Sequence, residues 1–182
     1  MARTEELFEE CPQCGTCYAS GSGRCAKDGA ALVPALLPRL LADRYRLERR
    51  IGSGGMGTVY EAADMSLERR VAAKVIRDDL VGSIEAAERF RREARAAASL
   101  AHLNVVTVFD FGTAGRRAFL VMELLNGTSL SDELRRQGRL APPRVVAILR
   151  GVTSAVDAGH RQQLPHRDLK PGNIFLVQGE KG

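Results

Sequence analysis

Residues 166–173, with the sequence His-Arg-Asp-Leu-Lys-Pro-Gly-Asn, constrain this chain more than any other segment. They place a carboxylate (Asp168), an ammonium group (Lys170) and a carboxamide (Asn173) within one short turn that carries a proline and a glycine. A carboxylate can orient an attacking hydroxyl and accept its proton, a lysine can neutralise a phosphate, and an amide oxygen can bind Mg²⁺. The segment therefore predicts phosphoryl transfer.

The composition is that of a globular chain with a basic surface. Apolar residues make up 45 % of the sequence and the formal net charge is +5. Because the arginines are spread along the chain, we interpret the charge as a solvated surface and expect no nucleic-acid partner. No run reaches the ~18 apolar residues of a spanning helix, and the acidic start has no signal-peptide pattern. The sequence thus predicts a cytoplasmic protein without a membrane segment in this chain.

Residues 52–59, Gly-Ser-Gly-Gly-Met-Gly-Thr-Val, form a second motif that suits phosphates. Glycines let a hairpin turn tightly and bring backbone N–H groups close to phosphate oxygens. The same glycine spacing occurs in dinucleotide-binding folds, where it opens a helix. Here residues 58–62 continue with β-branched and aromatic side chains, which favours a strand. We therefore predict a glycine-rich hairpin over a nucleotide.

An apolar strand at residues 70–76 carries one lysine, Lys74. A buried lysine is costly unless it is paired, although a lysine can also extend to solvent from an edge strand. The helix predicted over residues 84–100 offers Glu88 and Glu93 as counter-ions. Further along, Ser129 is predicted to cap a short helix, and Pro142 falls at the start of a longer one.

Taken in order, these segments resemble the bacterial eukaryotic-like (Hanks-type) serine/threonine protein kinases. Residues 166–173 match the catalytic-loop signature H-R-D-L-x-x-x-N at every fixed position, and residues 52–59 match G-x-G-x-x-G-x-V. The resemblance covers about residues 43–182. It implies an α+β, protein-kinase-like fold with a complete N-terminal lobe, made of a five-stranded antiparallel sheet and one helix, and the start of a helical C-terminal lobe. The implied reaction transfers the γ-phosphate of ATP to serine or threonine hydroxyls of proteins in signalling.

The resemblance also implies residue roles. Asp168 would be the catalytic base, Lys170 would contact the γ-phosphate, and Lys74 would pair with Glu93. ATP and Mg²⁺ are the implied cofactors, with Asn173 as a Mg²⁺ ligand; the implied partners are protein substrates and, as in the family, a second copy in a homodimer. The ATP-binding residues by the same reasoning are Ile51, Gly52, Gly54, Gly55, Gly57, Val59, Ala72, Lys74, Met122, Glu123, Leu125, Asn173 and Phe175.

A cysteine-containing segment precedes this region. Cys11 and Cys14 are two residues apart and are followed by a glycine, and Cys25 comes after a Gly/Ser-rich turn. Such thiolates suit a four-coordinate structural Zn²⁺, whose fourth ligand would be either Cys17 or Asp28. The pattern resembles short zinc ribbons ahead of some bacterial kinase domains, with Asp28 where the last cysteine usually stands. The other interpretation is a metal-free tail with reactive thiols.

We predict three segments: a zinc ribbon at residues 1–29, a linker at 30–42 and a kinase domain at 43–182. Two prolines interrupt the leucine-rich linker, which indicates an extended or short helical connector. No Asp-Phe-Gly follows Asn173, so we interpret the chain as a C-terminally truncated kinase and expect it to be inactive alone, since that aspartate is a Mg²⁺ ligand. The alternative is a non-catalytic nucleotide-binding or zinc-ribbon interaction module.

Overall fold

The structure is a computed structural model that describes residues 7–55, 57–77, 84–114 and 117–178, without the side chains of residues 84–87, 89, 90 and 93. The chain divides into two compact units. The first unit comprises Met1–Arg95 and Val108–Leu124, and the second comprises Ala96–Thr107 and Leu125–Gly182.

The first unit begins with a small antiparallel sheet in the order β2-β1-β3. Its strands are β1 (Leu7–Glu10), β2 (Cys17–Ala19) and β3 (Val33–Pro38). Strand β3 lies inside the predicted linker at residues 30–42, so this stretch is extended rather than helical. Proline is tolerated here because β3 is an edge strand of the small sheet.

A larger antiparallel sheet follows, with six strands in the order β4-β5-β6-β7-β9-β8. The sequence predicts five strands, and that number is wrong because residues from the predicted linker add the short strand β4 at one edge. The strands are β4 (Leu40–Leu41), β5 (Tyr45–Gly54), β6 (Gly57–Asp64), β7 (Arg69–Ile76), β8 (Val108–Ala114) and β9 (Arg117–Met122).

Strand register divides the large sheet into two faces, because residues directly opposite each other on neighbouring strands share a face. One face, here called the back face, is covered by the small sheet and forms the core with Phe8, Ala35 and Leu37. The other, here called the front face, carries Val59 opposite Lys74, and Ala72 opposite Met122. The core residues of the back face are Tyr45, Leu47, Tyr60, Ala62, Val71, Ala73, Val75, Phe119 and Val121.

A buried carboxylate fixes the end of β6. Asp64 has a fully buried side chain and receives two hydrogen bonds from the guanidinium of Arg44, at 2.7 and 2.8 Å. The backbone amides of Ser66 and Leu67 also donate to it, at 3.2 and 3.3 Å. The hydrogen bonds from Arg44 hold the pKa of Asp64 below its usual range. These contacts hold the β5–β6 pair and the β6–β7 turn in one arrangement.

Helix α1 (Ile84–Ser99) spans the end of the first unit and the start of the second. The second unit contains a two-stranded sheet of β10 (Gly127–Ser129) and β11 (Phe175–Val177), with helices α2 (Leu130–Gln137) and α3 (Pro142–Arg161). The predicted N-cap is confirmed, since the Asp132 amide donates to the Ser129 hydroxyl at 3.0 Å. The carboxylate of Glu133 is buried between Arg136 and Arg144 and links α2 to α3.

No helix among the residues that the structure describes has both the length and the apolarity needed to cross a membrane.

Candidate functional site

The glycine-rich motif forms the predicted hairpin between β5 and β6. Ser53 lies opposite Thr58 and Gly54 lies opposite Gly57 in the antiparallel ladder. Gly57 has a φ of 152°, and a Cβ built there would lie 2.2 Å from the carbonyl oxygen of Val75. Both the backbone conformation and the close approach of β7 therefore require glycine at this position.

The remaining glycines of the hairpin are required by no neighbour in the described part of the protein. A Cβ added at Gly54 or Gly55 would meet no described atom within 4 Å. At Gly52 the nearest described atom would be the Cβ of Val59, at 3.9 Å, which is ordinary contact. The hairpin thus offers bare backbone towards open space, which suits the close approach of phosphate oxygens to its N–H groups.

Four of the predicted ATP-binding residues lie together on the front face. Val59 is opposite Lys74, and Ala72 is opposite Met122 on the next strand. Ile51 lies where the β5 register shifts and is 41 % exposed. Apolar side chains around one ammonium group match a ligand that has an apolar ring and anionic phosphates.

The predicted ion pair between Lys74 and Glu93 stays a prediction. Lys74 is half-buried on β7, while the Glu93 side chain lies outside the described residues. Glu88, the other counter-ion considered, is exposed on α1. Glu123 follows β9 directly at the end of the first unit.

Asp168, Lys170 and Asn173 come together in the second unit. The ammonium of Lys170 lies 2.9 Å from a carboxylate oxygen of Asp168. The side-chain amide of Asn173 donates to that carboxylate at 2.9 Å and to the Asp168 carbonyl at 2.7 Å. These hydrogen bonds, first from Lys170 and then from Asn173, lower the pKa of the Asp168 carboxyl. The side chain is 39 % exposed, so an ionised carboxylate is accessible to a hydroxyl group.

The β10–β11 pair holds this loop in place. A 3-10 turn at Pro171–Asn173 leads into β11, and the Leu130 amide donates to the Ile174 carbonyl at 2.8 Å. Gly127 approaches β11 so closely that a Cβ would lie 2.1 Å from the Leu176 carbonyl oxygen. Two other predicted ATP contacts, Leu125 and Phe175, also belong to this unit.

The N-terminal cysteines form a compact cluster with an aspartate. One ligand atom from each of Cys11, Cys14, Cys25 and Asp28 lies within 4.8 Å of all the others. The sulfurs of Cys14 and Cys25 are 3.6 Å apart, and the Cys11 thiol donates to Asp28 at 3.3 Å. Zinc–sulfur bonds of about 2.3 Å in a tetrahedron separate two sulfurs by about 3.8 Å. The cluster therefore has the size of a tetrahedral zinc site.

Cys17 lies outside this cluster. Its thiol donates to the Gly15 carbonyl at 3.7 Å and its side chain belongs to the core. Burial raises the pKa of Cys17 to about 12, whereas the Ala30 amide and then the Cys25 thiol lower that of Asp28 to about 2. Of the two fourth ligands left open by the spacing, the structure groups Asp28 with the three thiols.

One set of contacts has no signal in the sequence. The Arg50 amide on β5 donates to the Gly15 carbonyl at 2.8 Å. The Arg50 side chain contacts Glu10 at 3.1 Å, and the Tyr60 hydroxyl donates to the same carboxylate at 3.2 Å. Charged residues on an exposed strand usually indicate a solvated surface, and only tertiary packing shows that these carry the contact between the cysteine segment and β5.

Comparison with known proteins agrees with this arrangement. Residues 45–181 match the family model described as "Protein kinase domain". The chain belongs to the protein kinase family, within the bacterial Hanks-type serine/threonine kinases.

Among its relatives, serine/threonine-protein kinase PknA of Mycobacterium tuberculosis is 45 % identical over 142 residues, which is 75 % of this chain and 33 % of PknA. PknE of Mycobacterium bovis is 48 % identical over 132 residues, covering 72 % of this chain and 23 % of PknE. The crystal structure of the M. tuberculosis PknI kinase domain superposes with a TM-score of 0.71 at 29 % identity, over 80 % of this chain and 60 % of that one. The chain thus spans a third or less of the length of PknA and of PknE.

Proposed function

We propose that this chain carries the ATP-binding and catalytic-loop portion of a protein kinase that phosphorylates serine or threonine residues of other proteins in signalling. The observation that carries the proposal is the cluster of Asp168, Lys170 and Asn173, held by mutual hydrogen bonds at 2.7 to 2.9 Å. A non-catalytic module has no physical need for a carboxylate, a cation and an amide in this arrangement.

Each group of the cluster has a role in phosphoryl transfer. The Asp168 carboxylate orients the substrate hydroxyl and accepts its proton, and Lys170 neutralises charge on the γ-phosphate. Because the Asn173 nitrogen points at Asp168, its Oδ1 atom faces away and is a suitable Mg²⁺ ligand. Bound Mg²⁺ supplies positive charge to the phosphate oxygens.

In the first unit, the front face and the hairpin supply the nucleotide contacts. We propose that Val59, Ala72 and Met122 contact the adenine ring and that Lys74, paired with Glu93, binds the phosphates. The bare backbone at Gly54 and Gly55 provides N–H groups for the phosphate oxygens. Contacts of Leu125, Asn173 and Phe175 with the same nucleotide are predicted from the sequence alone.

The test is phosphate transfer from γ-labelled ATP by the longest natural polypeptide that contains residues 1–182. Asp168→Asn removes the base and is expected to lower the rate by about 10²–10⁴-fold. Asp157→Asn, at an exposed aspartate that pairs with Arg161 on α3, is the matched control and keeps the wild-type rate. Label is expected on serine or threonine. Equal rates in all three proteins, or an absence of transfer, would favour the non-catalytic module.

We also propose that Cys11, Cys14, Cys25 and Asp28 bind one structural zinc ion. The observation that favours this second function is the grouping of four ligand atoms within 4.8 Å of one another. Thiolate sulfur and carboxylate oxygen are both zinc ligands in proteins, and together these residues supply the four ligands of a tetrahedral site. Each of the two turns that carry the cysteines is closed by a backbone hydrogen bond. The Gly15 amide donates to the Cys11 carbonyl and the Gly29 amide donates to the Cys25 carbonyl, both at 2.9 Å.

Metal analysis of the purified 182-residue chain tests this site. One zinc per chain is expected in the wild type and in Cys17→Ala, whose sulfur lies in the core. Cys25→Ala and Asp28→Ala are expected to lose or weaken zinc binding because each removes a ligand. Zinc content and zinc affinity that are unchanged in Cys25→Ala, or zinc that disappears from a folded Cys17→Ala variant, would contradict the assigned ligands.

A further inference from the structure

The turn that carries the first two cysteines borders the strand that leads into the glycine-rich hairpin. This turn, residues 11–15, ends at Gly15, whose carbonyl accepts a hydrogen bond from the Arg50 amide at 2.8 Å. Thr16 and Arg49 also form an antiparallel bridge. Since Arg50 directly precedes Ile51 and Gly52, the contact lies at the base of the predicted phosphate-binding segment.

The outer edge of β5 depends on this contact. Strand β4 pairs only with the first two residues of β5, Tyr45 and Arg46, and the Leu47 amide donates to the Arg39 carbonyl at 2.8 Å. Beyond Leu47, in the described part of the chain, this edge of β5 pairs with Thr16 and Gly15. An edge strand without such partners leaves its N–H and C=O groups to solvent.

Steric fit makes the contact specific. Gly15 has a φ of 74°, and a Cβ there would lie 2.4 Å from the Arg50 carbonyl oxygen. The Arg50 side chain is held at the same time by Glu10 on β1, at 3.1 Å, and by the Pro12 carbonyl, at 3.3 Å. Tyr60 on the neighbouring strand β6 donates to Glu10 at 3.2 Å. Arg50 therefore contacts both β1 and the 11–15 turn.

We infer that the metal-loaded 11–15 turn positions the glycine-rich hairpin, so that metal binding at the cysteine cluster strengthens nucleotide binding at the hairpin. The inference rests on both proposed sites. The turn joins β1 to β2, whose pairing of Glu10 with Cys17 closes it, and a metal bound by Cys11 and Cys14 would further fix its shape. Without that shape, β5 loses its outer backbone partners directly before Gly52. Part of the nucleotide's binding free energy is then used to order the hairpin.

Such coupling is reciprocal, because the factor by which metal raises nucleotide affinity equals the factor by which nucleotide raises metal affinity. The experiment measures binding of a fluorescent ATP analogue to the 182-residue chain, loaded with zinc or treated with a zinc-selective chelator that leaves Mg²⁺ in solution. Metal removal is expected to weaken nucleotide binding about 5-fold or more. Saturating nucleotide is expected to tighten zinc binding by the same factor.

Gly15→Ala tests the contact itself. It is expected to keep the zinc stoichiometry, weaken nucleotide binding and speed hydrogen exchange at the Arg50 amide. Gly21→Ala is the matched control, because Gly21 has a similar φ of 84° but no described atom within 4 Å of an added Cβ. If Gly15→Ala loses its zinc or fails to fold, the chelator titration of the wild type still tests whether metal removal weakens nucleotide binding.

The possible outcomes distinguish a failure of the coupling from a failure of the zinc site or of the nucleotide site. A zinc-loaded chain whose nucleotide affinity is unchanged by metal removal would overturn the inference and leave both proposed sites standing. Absence of zinc from the wild type would overturn the metal site and the inference together. Absence of nucleotide binding in the zinc-loaded chain would overturn the nucleotide site and, with it, the inference.

Discussion

Replacement of Phe8 by alanine tests whether the N-terminal segment is part of the core of the nucleotide-binding sheet. The Phe8 side chain is 1 % exposed and meets the Tyr60 ring edge-on, with the ring centroids 6.1 Å apart. Truncation of a buried phenylalanine costs about 3–5 kcal/mol of unfolding free energy. Because domains are stable by only about 5–15 kcal/mol, this loss is a large share of the total.

The assay is hydrogen exchange of backbone amides in β7 and β9, which belong to the back-face core, in zinc-saturated buffer. Phe8→Ala is expected to lower their protection by the full 3–5 kcal/mol, which is about 150- to 5,000-fold. Leu36→Ala is the control, since Leu36 is 75 % exposed and its truncation should change stability by no more than about 0.5 kcal/mol. A change below about 1 kcal/mol in Phe8→Ala would refute the shared core.

Three further predictions follow from the contacts. Asp64→Asn should lower the unfolding free energy by about 1–3 kcal/mol, because it weakens the hydrogen bonds that the partly exposed guanidinium of Arg44 makes to a buried carboxylate. Since the folded pKa of Asp64 is lowered, its carboxylate stabilises the protein above the unfolded pKa of about 3.9 and loses this effect as the pH falls further. Urea titrations across this pH range should therefore show that the variant loses less stability in acid than the wild type. An equal loss of stability in both proteins would contradict the assignment. Gly57→Ala should lower the melting temperature, because its Cβ would lie 2.2 Å from the Val75 oxygen; a melting temperature equal to that of Gly21→Ala would be contrary evidence. Lys170→Met should raise the pKa of Asp168, measured by NMR titration; an unchanged value would show that Lys170 is not its main partner.

The sequence predicts the chemistry of this protein better than its packing. Residues 166–173 predict the clustering of Asp168 and Asn173 because the whole constellation lies within one turn. The glycine hairpin is predictable for the same reason, since the strand character of residues 58–62 is local. Local patterns of this kind depend little on the rest of the fold.

Long-range packing explains what the sequence does not predict. Two prolines make residues 30–42 resemble a linker, yet β3 forms there because an edge strand tolerates proline. Spacing cannot choose between Cys17 and Asp28, whereas the structure places the Cys17 side chain in the core. The contact between Gly15 and Arg50 joins residues far apart in the sequence and has no local pattern. The pairing of Lys74 with Glu93 stays a prediction.

The most direct test of the account is calorimetric titration of MgATP into the zinc-loaded 182-residue chain, because the front face of the large sheet is proposed to bind the nucleotide. One-to-one binding is expected, with a loss of about 10- to 150-fold in Lys74→Met, the range for a hydrogen bond to a charged group. Lys27→Met, at an exposed lysine of the cysteine segment, should bind as the wild type does. Absence of binding, or equal affinities in all three proteins, would contradict the proposed nucleotide site.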